Sequence, residues 1–370
     1  MTKPPDKKIR VLIVDDSAFM CRVLQQMIDA DPQLEVVGQG RDGRDGVALA
    51  ESLRPDVITM DINMPHVDGL QATEMIMSRH PRPIVIVSSE SREGAASTLK
   101  ALHLGAIDFV PKPSSGIDLD MKSIHEELTR KLKMAAKVRV VRTATRSKLP
   151  VSHAPLSPAA ASANSSALAQ NGGKFPIVVV AASTGGPAAV TRLVASFPKD
   201  LPAAVLLVLH MPPTFTKQFT LQLAEISSLP VKEAESNESL QPGTIYLCPG
   251  SHHLRLSPSG RLTLDPGPRI GGYRPCADVA LESVAAYANG LAIGVVLTGM
   301  GNDAAAGAKA IRVAGGHVIA QDEATSVIFG MPGEAIKTGA VNEVLSLDQI
   351  GAAIEKRATK LARLVPAGAQ

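Results

Sequence analysis

The sequence predicts an α/β protein with two doubly wound domains, each built on a mainly parallel sheet, joined by a flexible linker. Short β-branched runs alternate with segments of helical period in both halves of the chain. A stretch rich in Pro, Ala, Ser, Asn and Gly separates the halves. The length of 370 residues also suggests two or three domains. We expect domains at residues 8–135 and 174–364, with the linker at 136–173.

Composition narrows the functional classes. Aromatic residues make up 3% of the chain and Trp is absent, which excludes an aromatic platform for single-stranded nucleic acid. A net charge of +3 is too small to indicate nucleic-acid binding without a basic face. No apolar run approaches the ~18 residues that cross a bilayer, and the N-terminus does not resemble a secretory signal. Three scattered cysteines fit a reducing compartment. We therefore expect a cytoplasmic protein that neither binds nucleic acid nor inserts into membranes.

Five β-branched runs predict the strands of the first domain, at residues 10–14, 35–38, 57–60, 84–87 and 107–110. Apolar residues at spacings of three, four and seven between Phe19 and Ile28 predict a helix after the first strand. A second helix is predicted at residues 46–53. Strands that alternate with helices imply right-handed crossovers and a parallel sheet.

Polar residues directly follow four of these strands: Asp15 and Asp16, then Asp61, then Ser88, then Lys112. In an open parallel sheet, ligands bind beyond the carboxyl ends of the strands. Three carboxylates gathered there would repel one another, and Mg²⁺ would relieve that repulsion. Carboxylates, Mg²⁺ and a lysine are the parts of phosphoryl transfer to an aspartate. Asp61 would attack phosphorus, and Lys112 and Ser88 would contact the new phosphate.

The motifs at residues 14–17, 60–65, 68–69, 88–89 and 111–113 resemble those of the response-regulator receiver domains, which have a flavodoxin-like fold. The resemblance implies that a histidine kinase of the CheA type phosphorylates Asp61, and that Ser88 and Lys112 respond to the phosphate. It places Mg²⁺ on four residues, namely Asp16, Asp61, Asn63 through its carbonyl, and Asp15 through water. Phe109 is the nearest match to the family's aromatic switch residue.

The segment between the domains begins with eight Lys or Arg and no acid over residues 130–148. Residues 149–173 then consist mainly of small residues and proline. This pattern predicts the end of a helix that continues into a flexible tether. Contact of the basic tail with nucleic acid or anionic lipid is the alternative.

In the second domain, strands are predicted at residues 177–181, 205–209, 244–247, 292–297 and 317–320. Ser183, His210 and Asp303 each lie just beyond one of them. Ser183 begins a strand-to-helix turn, Ser-Thr-Gly-Gly-Pro, in which Pro187 suits the first turn of the helix. Such a turn presents the hydroxyl and directs backbone N–H groups at negative charge, either a bound phosphate or an oxyanion.

Nucleophilic hydrolysis fits these residues better than two other chemistries. A dinucleotide site would need a different glycine spacing and an acid after the next strand. Metal-dependent hydrolysis would need histidines at ligand spacing. Ser183 can act as nucleophile, His210 as its base and Asp303 as the acid that orients the imidazole. His252 and His253 are rival bases in a turn-rich segment.

The motifs at residues 182–187, 210–212, 274–279, 297–303 and 321–332 resemble the catalytic domain of the CheB methylesterases, which is Rossmann-like. The resemblance implies demethylation of glutamate methyl esters and deamidation of glutamines on methyl-accepting chemotaxis receptors, with no cofactor for the ester step. It assigns the oxyanion contacts to the N–H groups of Met300 and Thr184. The chain departs from the family pattern at Cys276, where Ser is frequent, and at Ala304, where Gly is usual.

A receiver joined to an esterase implies control by phosphorylation. We expect the unphosphorylated receiver to inhibit the esterase and phosphorylation of Asp61 to activate it. Two other classes remain open from the sequence. One is a response regulator that binds DNA, which would need a helix-turn-helix in the second half. The other is a phosphorylation-controlled nucleotide-binding or scaffold module that uses the Ser183 turn without chemistry.

Overall fold

The computed structural model describes residues 7–89, 91–112, 118–138 and 175–364. The chain divides into two compact units, Met1–Ser152 and His153–Gln370. Both are α/β units with mainly parallel sheets, which confirms the predicted fold class. Nearly all of the predicted linker lies outside the described residues, so the exact domain boundaries stay predictions. Among the described residues, no helix is both long enough and apolar enough to span a bilayer.

The first unit is a five-stranded parallel sheet with the strand order β2-β1-β3-β4-β5. Its elements are β1 Ile9–Val14, α1 Ala18–Asp29, β2 Leu34–Gly40, α2 Gly43–Leu53, β3 Val57–Asp61, α3 Gly69–Arg79, β4 Ile84–Ser88, α4 Arg92–His103, β5 Asp108–Pro111 and α5 Asp118–Ala135. All five predicted strands and both predicted helices are present. The order reverses between β1 and β3, so a crevice forms beyond the carboxyl ends of these strands.

Short polar side chains start four of the helices in this unit. Ser17, Asp42, Asp68 and Ser91 each accept a hydrogen bond from the backbone N–H three residues later. Gln71 returns a bond to the backbone of Asp68, which completes a capping box. These caps fix the residues at which the preceding loops end. The loops after β1, β3 and β4 carry or adjoin the predicted site residues of this unit.

The second unit contains a seven-stranded parallel sheet with the order β14-β13-β12-β6-β7-β9-β8, and a separate antiparallel hairpin of β10 and β11. Its elements are β6 Ile177–Ala182, α6 Gly186–Ala195, β7 Ala204–Leu209, α7 Pro213–Ile226, β8 Val231–Glu233, β9 Ile245–Leu247, β10 His253–Leu256, β11 Leu262–Asp265, α8 Ala277–Ala288, β12 Ala292–Val296, α9 Ala305–Val313, β13 His317–Gln321, α10 Met331–Lys337, β14 Glu343–Leu345 and α11 Leu347–Leu364. The five predicted strands are confirmed, whereas β8, β10, β11 and β14 were not predicted.

Three neighbouring strands, β12, β6 and β7, form the centre of this sheet and are completely buried. Their near-continuous runs of Val, Ile, Leu and Ala are typical of strands that are covered on both faces. Because the three strands are parallel, the loops at their carboxyl ends emerge side by side. Those loops begin with Ser183, His210 and residues 298–303, so the topology alone brings the predicted catalytic residues to one edge.

Candidate functional site

The carboxyl edge of the first sheet holds a compact charged cluster. Lys112 Nζ lies 3.0 Å from Asp15 Oδ2 and 2.9 Å from Asp61 Oδ2. Asp15 and Asp61 are buried, and Asp16 is exposed beside them. One carboxylate oxygen from each of the three aspartates lies within 4.8 Å of the other two. The structure therefore brings together the acids and the lysine that the sequence singled out.

Burial and charge act against each other in this cluster. Burial raises the pKa of Asp61, although the ammonium group of Lys112 and the N–H of Ile62 act in the opposite direction. Burial alone would lower the pKa of Lys112, but the carboxylates of Asp61 and Asp15 outweigh it and raise that pKa. Lys112 is therefore charged at neutral pH. Lys112 pairs with two of the three carboxyl groups that meet here, so the cluster favours an additional cation.

The donor set fits Mg²⁺. Carboxylate oxygens are the hard ligands that this ion prefers, and the exposed Asp16 leaves one side open to the water molecules that the ion retains. Asn63, whose carbonyl is the remaining predicted ligand, is exposed two residues after Asp61. Asp16, Asp61 and Asn63 would hold the ion, with Asp15 bonding through water.

Ser88 is the last residue of β4 and is buried. Its hydroxyl donates to the carbonyl of Gly94 at 3.3 Å, near the start of α4. Its own carbonyl accepts the N–H of Lys112 at 2.8 Å. Ser88 therefore links the backbone of Lys112 to α4, and its response to a phosphate stays a prediction. Phe109 is buried on β5, under the ammonium group of Lys131.

In the second unit, Ser183 lies on the tight turn between β6 and α6. Its N–H donates to the carbonyl of Thr298 at 3.1 Å, and its carbonyl accepts the N–H of Gly186 at 2.6 Å. Gly185 has a φ of +74°, and a Cβ at that position would lie 2.6 Å from Cβ of Val327. The turn needs glycine for both reasons, and it leaves the serine side chain half-buried at the edge of the sheet.

Ser183, His210 and Asp303 form a continuous hydrogen-bonded chain. Ser183 Oγ lies 3.0 Å from Nδ1 of His210, and His210 Nε2 lies 2.7 Å from Oδ2 of Asp303. In the neutral imidazole, Nε2–H donates to the carboxylate, and Nδ1 is free to accept the serine proton. In the serine proteases the two nitrogens have the opposite assignment. The roles of base and orienting acid are nevertheless available.

Asp303 is almost completely buried, and a ring of donors surrounds it. Oδ2 accepts the N–H of Ala277 at 2.7 Å, while Oδ1 accepts the N–H of Asp278 at 2.9 Å and the thiol of Cys276 at 3.2 Å. Burial acts to raise the pKa of Asp303, but the bond to His210 and the backbone donors outweigh it and lower that pKa. Asp303 is therefore ionised at neutral pH, as the predicted role of an orienting acid requires.

Burial, reinforced by the charge of Asp303, raises the pKa of the Cys276 thiol to about 12. The thiol therefore stays protonated and donates to Asp303, as a serine hydroxyl would. Ala304 has a φ of +81°, in the region that favours glycine, which gives a physical reason for the glycine usual there.

Sequence analysis assigned no role to Asp278, which lies in the first turn of α8. Its N–H donates to Asp303, and its carboxylate accepts the N–H of Gly307 at 2.7 Å, in the first turn of α9. The two aspartates thus cap each other's helices. Burial raises the pKa of Asp278 to about 6, and the charge of Asp303 adds to that effect. An acid in the first turn of a helix, just after the Arg-Pro-Cys segment, was the signal that could have found it.

The loop after β12 lies directly against the nucleophile. A Cβ on Gly299 would lie 3.0 Å from Cβ of Ser183 and would overlap Sδ of Met331. Met300, the next residue, is buried, as is Thr184 beside the serine. Both residues lie close to the serine in the chain or in the neighbouring loop, and their role as oxyanion donors stays a prediction.

The rival histidines do not contact Ser183. His253 is fully buried, with Nε2 bonded to the carbonyl of Pro268 at 3.0 Å and Nδ1 bonded to the N–H of Cys276 at 3.2 Å. Both ring nitrogens of His253 are therefore occupied by hydrogen bonds to backbone groups. His252 bonds through Nδ1 to the hydroxyl of Ser251 at 2.8 Å. The prediction that His210 is the partner of the serine matches this geometry.

The chain matches two known families. The profile of the family described as "CheB methylesterase" matches residues 178–354, and that of the "response regulator receiver domain" matches residues 11–124. A protein-glutamate methylesterase/protein-glutamine glutaminase of Symbiobacterium thermophilum is 44% identical over 362 residues, covering 96% of this chain and 99% of that protein. A protein of the same name from Pyrococcus horikoshii is 43% identical, covering 95% of this chain and 94% of that protein.

Solved structures also resemble parts of the chain. The CheB methylesterase catalytic domain of Thermotoga maritima is 39% identical, with a TM-score of 0.48, and covers 49% of this chain and 98% of its own. The response regulator domain of Thermotoga maritima CheB is 47% identical, with a TM-score of 0.33, and covers 36% of this chain and 99% of its own.

Proposed function

Because the chain belongs to the protein-glutamate methylesterase/protein-glutamine glutaminase family and is an enzyme of that class, we propose that Ser183, His210 and Asp303 are its catalytic triad. The substrates are glutamate methyl esters and glutamine amides on methyl-accepting chemotaxis receptors. The single observation that carries this proposal is the chain of 3.0 and 2.7 Å contacts from hydroxyl to imidazole to carboxylate.

The first half-reaction acylates the serine. Ser183 Oγ attacks the ester carbonyl while its proton passes to Nδ1 of His210. Asp303, already ionised, stabilises the imidazolium through Nε2–H. The C–O bond to the methoxy group then breaks, and Nδ1–H protonates it as methanol. The N–H groups of Met300 and Thr184 bind the oxyanion that forms in between.

The second half-reaction restores the enzyme. A water molecule gives its proton to Nδ1 of His210 and attacks the acyl carbon. The bond to Ser183 Oγ then breaks, and the serine recovers its proton from the imidazolium. The receptor side chain leaves as a carboxylate. With a glutamine substrate, ammonia replaces methanol as the first product.

The receiver unit supplies the control. A histidine kinase of the CheA type provides the phosphoryl group on one of its own histidines. Asp61 attacks the phosphorus and forms an acyl phosphate, while the bond from phosphorus to the histidine nitrogen breaks and the released imidazole takes up a proton. Lys112, already between Asp15 and Asp61, contacts the phosphate, and Ser88 carries the change to α4. When bound, Mg²⁺ shields the charge of the phosphoryl oxygens. Phosphorylation raises the activity of the esterase.

The test is methanol release from methylated receptor membranes by the purified full chain. Ser183→Ala should lower the rate by at least about 10³-fold, and Asp303→Asn by a similar factor, because each removes one member of a unit that acts together. Ser259→Ala, an exposed serine in the β10–β11 turn, is the matched control and should not change the rate. Undiminished release by Ser183→Ala would refute the triad. Failure of a fluorophosphonate probe to label Ser183 would favour the scaffold alternative.

A further inference from the structure

His210 is held by more than its two hydrogen bonds. The ring of Tyr273 stacks on the imidazole, with centroids 4.3 Å apart and planes inclined by 17°. The side chain of His210 is only 12% exposed. Hydrogen bonds at Nδ1 and Nε2 fix two points of the ring and still allow it to rock about the line that joins them. A flat contact on one face restrains that remaining motion.

A two-residue turn holds Tyr273 in this place. The N–H and carbonyl groups of Ile270 and Tyr273 exchange two hydrogen bonds of 3.0 Å around Gly271 and Gly272. The two glycines have φ values of +60° and +89°, which a two-residue turn of this kind requires. A Cβ on Gly272 would meet nothing within 4 Å, so backbone conformation and not crowding demands glycine there.

The other end of Tyr273 reaches the loop after β12. A Cβ on Gly301, which has a φ of +91°, would overlap the tyrosine hydroxyl. The ring therefore lies between the imidazole and the backbone of the residue that follows Met300. Guanidinium bonds of 3.0 Å from Arg274 to the carbonyls of Pro266 and Gly267 fix the chain just after the tyrosine.

We propose that Tyr273 is a positioning residue of the triad: its ring keeps the imidazole plane of His210 aligned with Ser183 and supports the loop that carries Met300. The proposal rests on the proposed function, since it concerns the same site. The stacked ring of Tyr273, and not its hydroxyl, aligns the imidazole of His210. Misplacement of catalytic groups by about 1 Å lowers the rate roughly 100-fold. An enzyme whose base is loosely held should therefore react slowly, although every reacting group is present.

The experiment compares Tyr273→Leu with Tyr273→Phe in the full chain. Leu removes the flat ring, and Phe keeps it. We expect Leu to lower kcat for methanol release roughly 10- to 100-fold with KM within about threefold, and Phe to stay within about threefold of wild type. The rate of phosphonylation of Ser183 by a fluorophosphonate should follow the same order. Tyr287→Leu, the same change on α8, is the matched control and should leave that rate unchanged.

Each other outcome overturns the proposal. Tyr273→Leu with wild-type phosphonylation and kcat would show that the stack aligns nothing. Tyr273→Phe as slow as Tyr273→Leu would move the role from the ring to the hydroxyl. If Tyr273→Leu does not fold, Gly272→Ala decides, because this exposed change disturbs only the turn. It should slow phosphonylation at least severalfold, and a wild-type rate would contradict the proposal.

Failure of the proposed function is distinguishable from failure of this inference. A wild-type chain that is phosphonylated at Ser183 but releases no methanol or ammonia from receptors would refute the esterase. The phosphonylation rates of the tyrosine variants would still decide what Tyr273 does, because that reaction needs only the serine and its base.

Discussion

At the scale of single residues, Asp278 shows how a residue outside the predicted triad can keep Asp303 in position. Asp278 and Asp303 each accept a backbone N–H from the first turn of the other's helix. Carboxylates near helix N-termini are stabilised by the helix dipole. At Asp303 such contacts, together with His210, lower the pKa. At Asp278 burial prevails, and the pKa is raised to about 6.

The raised pKa of Asp278 predicts how the stability of the second unit depends on pH. The folded state binds the proton more tightly than the unfolded state, where the pKa is near 3.8. Stability is therefore lost as pH rises from about 4 to about 6, and stays lower above that range. In Asp278→Asn the amide oxygen still accepts the N–H of Gly307. The variant does not lose stability over this pH range, because an amide does not ionise. Relative to wild type, the variant should gain about 1 kcal/mol between pH 5 and pH 7.5.

Urea unfolding monitored by tyrosine fluorescence measures this effect. The chain has three tyrosines, and all of them lie in the second unit, so the signal reports on that unit alone. Glu225→Gln, at an exposed acid on α7 of the same unit, is the control, and its difference from wild type should stay constant over this pH range. A difference for Asp278→Asn that does not change with pH would contradict the assigned pKa.

The sequence was sufficient to predict that Ser183, His210 and Asp303 lie at one edge of the sheet, because each is in a loop that follows a buried apolar strand and the strands are parallel. It was not sufficient for Tyr273 and Asp278. Their roles depend on a Gly-Gly turn and on the packing of α8 against α9, which bring together residues far apart in the chain. The spacing of residues along the chain does not predict such contacts.

At the scale of elements, α5 is attached to the receiver sheet by a buried cation. Lys131 Nζ lies 3.0 Å from Asp108 Oδ1, 2.9 Å from Glu127 Oε1 and 2.6 Å from the carbonyl of Phe109. Burial alone would lower the pKa of Lys131, but the two carboxylates outweigh it and raise that pKa. The lysine is thus charged throughout the neutral range, and its stabilising contribution is complete there.

Lys131→Met should destabilise the first unit by about 3 kcal/mol, because it leaves the carboxylate of Asp108 buried without its cation. Lys122→Met is the matched control on the same helix. Its pair with Glu126 is 4.0 Å long and the lysine side chain is 80% exposed, so the change should cost less than about 0.5 kcal/mol. Urea unfolding of both variants, followed by circular dichroism, gives the two values. Equal losses would show that the buried pair does not anchor α5.

The elements that sequence analysis missed have a common cause. Strands β8, β9 and β14 have three residues each, and β10 and β11 have four. So few residues give little periodicity, and of these five only β9 fell within an apolar run that was recognised. The other four form through pairing: β14 pairs with the longer β13, β8 pairs with β9, and β10 pairs with β11. The long buried strands, in contrast, are defined by their own composition.

On the scale of the whole molecule, each unit gathers its reactive residues at the carboxyl edge of its own sheet. The predicted activation can be tested with the full chain and a small phosphodonor such as acetyl phosphate. Asp61→Asn removes the attacking oxygen, so the phosphodonor should no longer raise the rate of methanol release. Chelation of Mg²⁺ should abolish the stimulation of wild type in the same way.

The control for this prediction is Asp29→Asn, an exposed aspartate at the end of α1, which should keep the full stimulation. The quantity to compare is the ratio of rates with and without the phosphodonor, because it is insensitive to differences in the amount of active enzyme. An undiminished ratio in Asp61→Asn would remove this residue from the control of the esterase.

The acids and the lysine of the first unit and the predicted triad of the second lie at the ends or in the loops of their own sheet's strands, and this has an evolutionary consequence. A gene fusion can join a phosphate sensor to an unrelated chemistry, because each unit supplies the reacting side chains of its own cluster. Selection can then refine the sensitivity of one half and the turnover of the other through separate mutations.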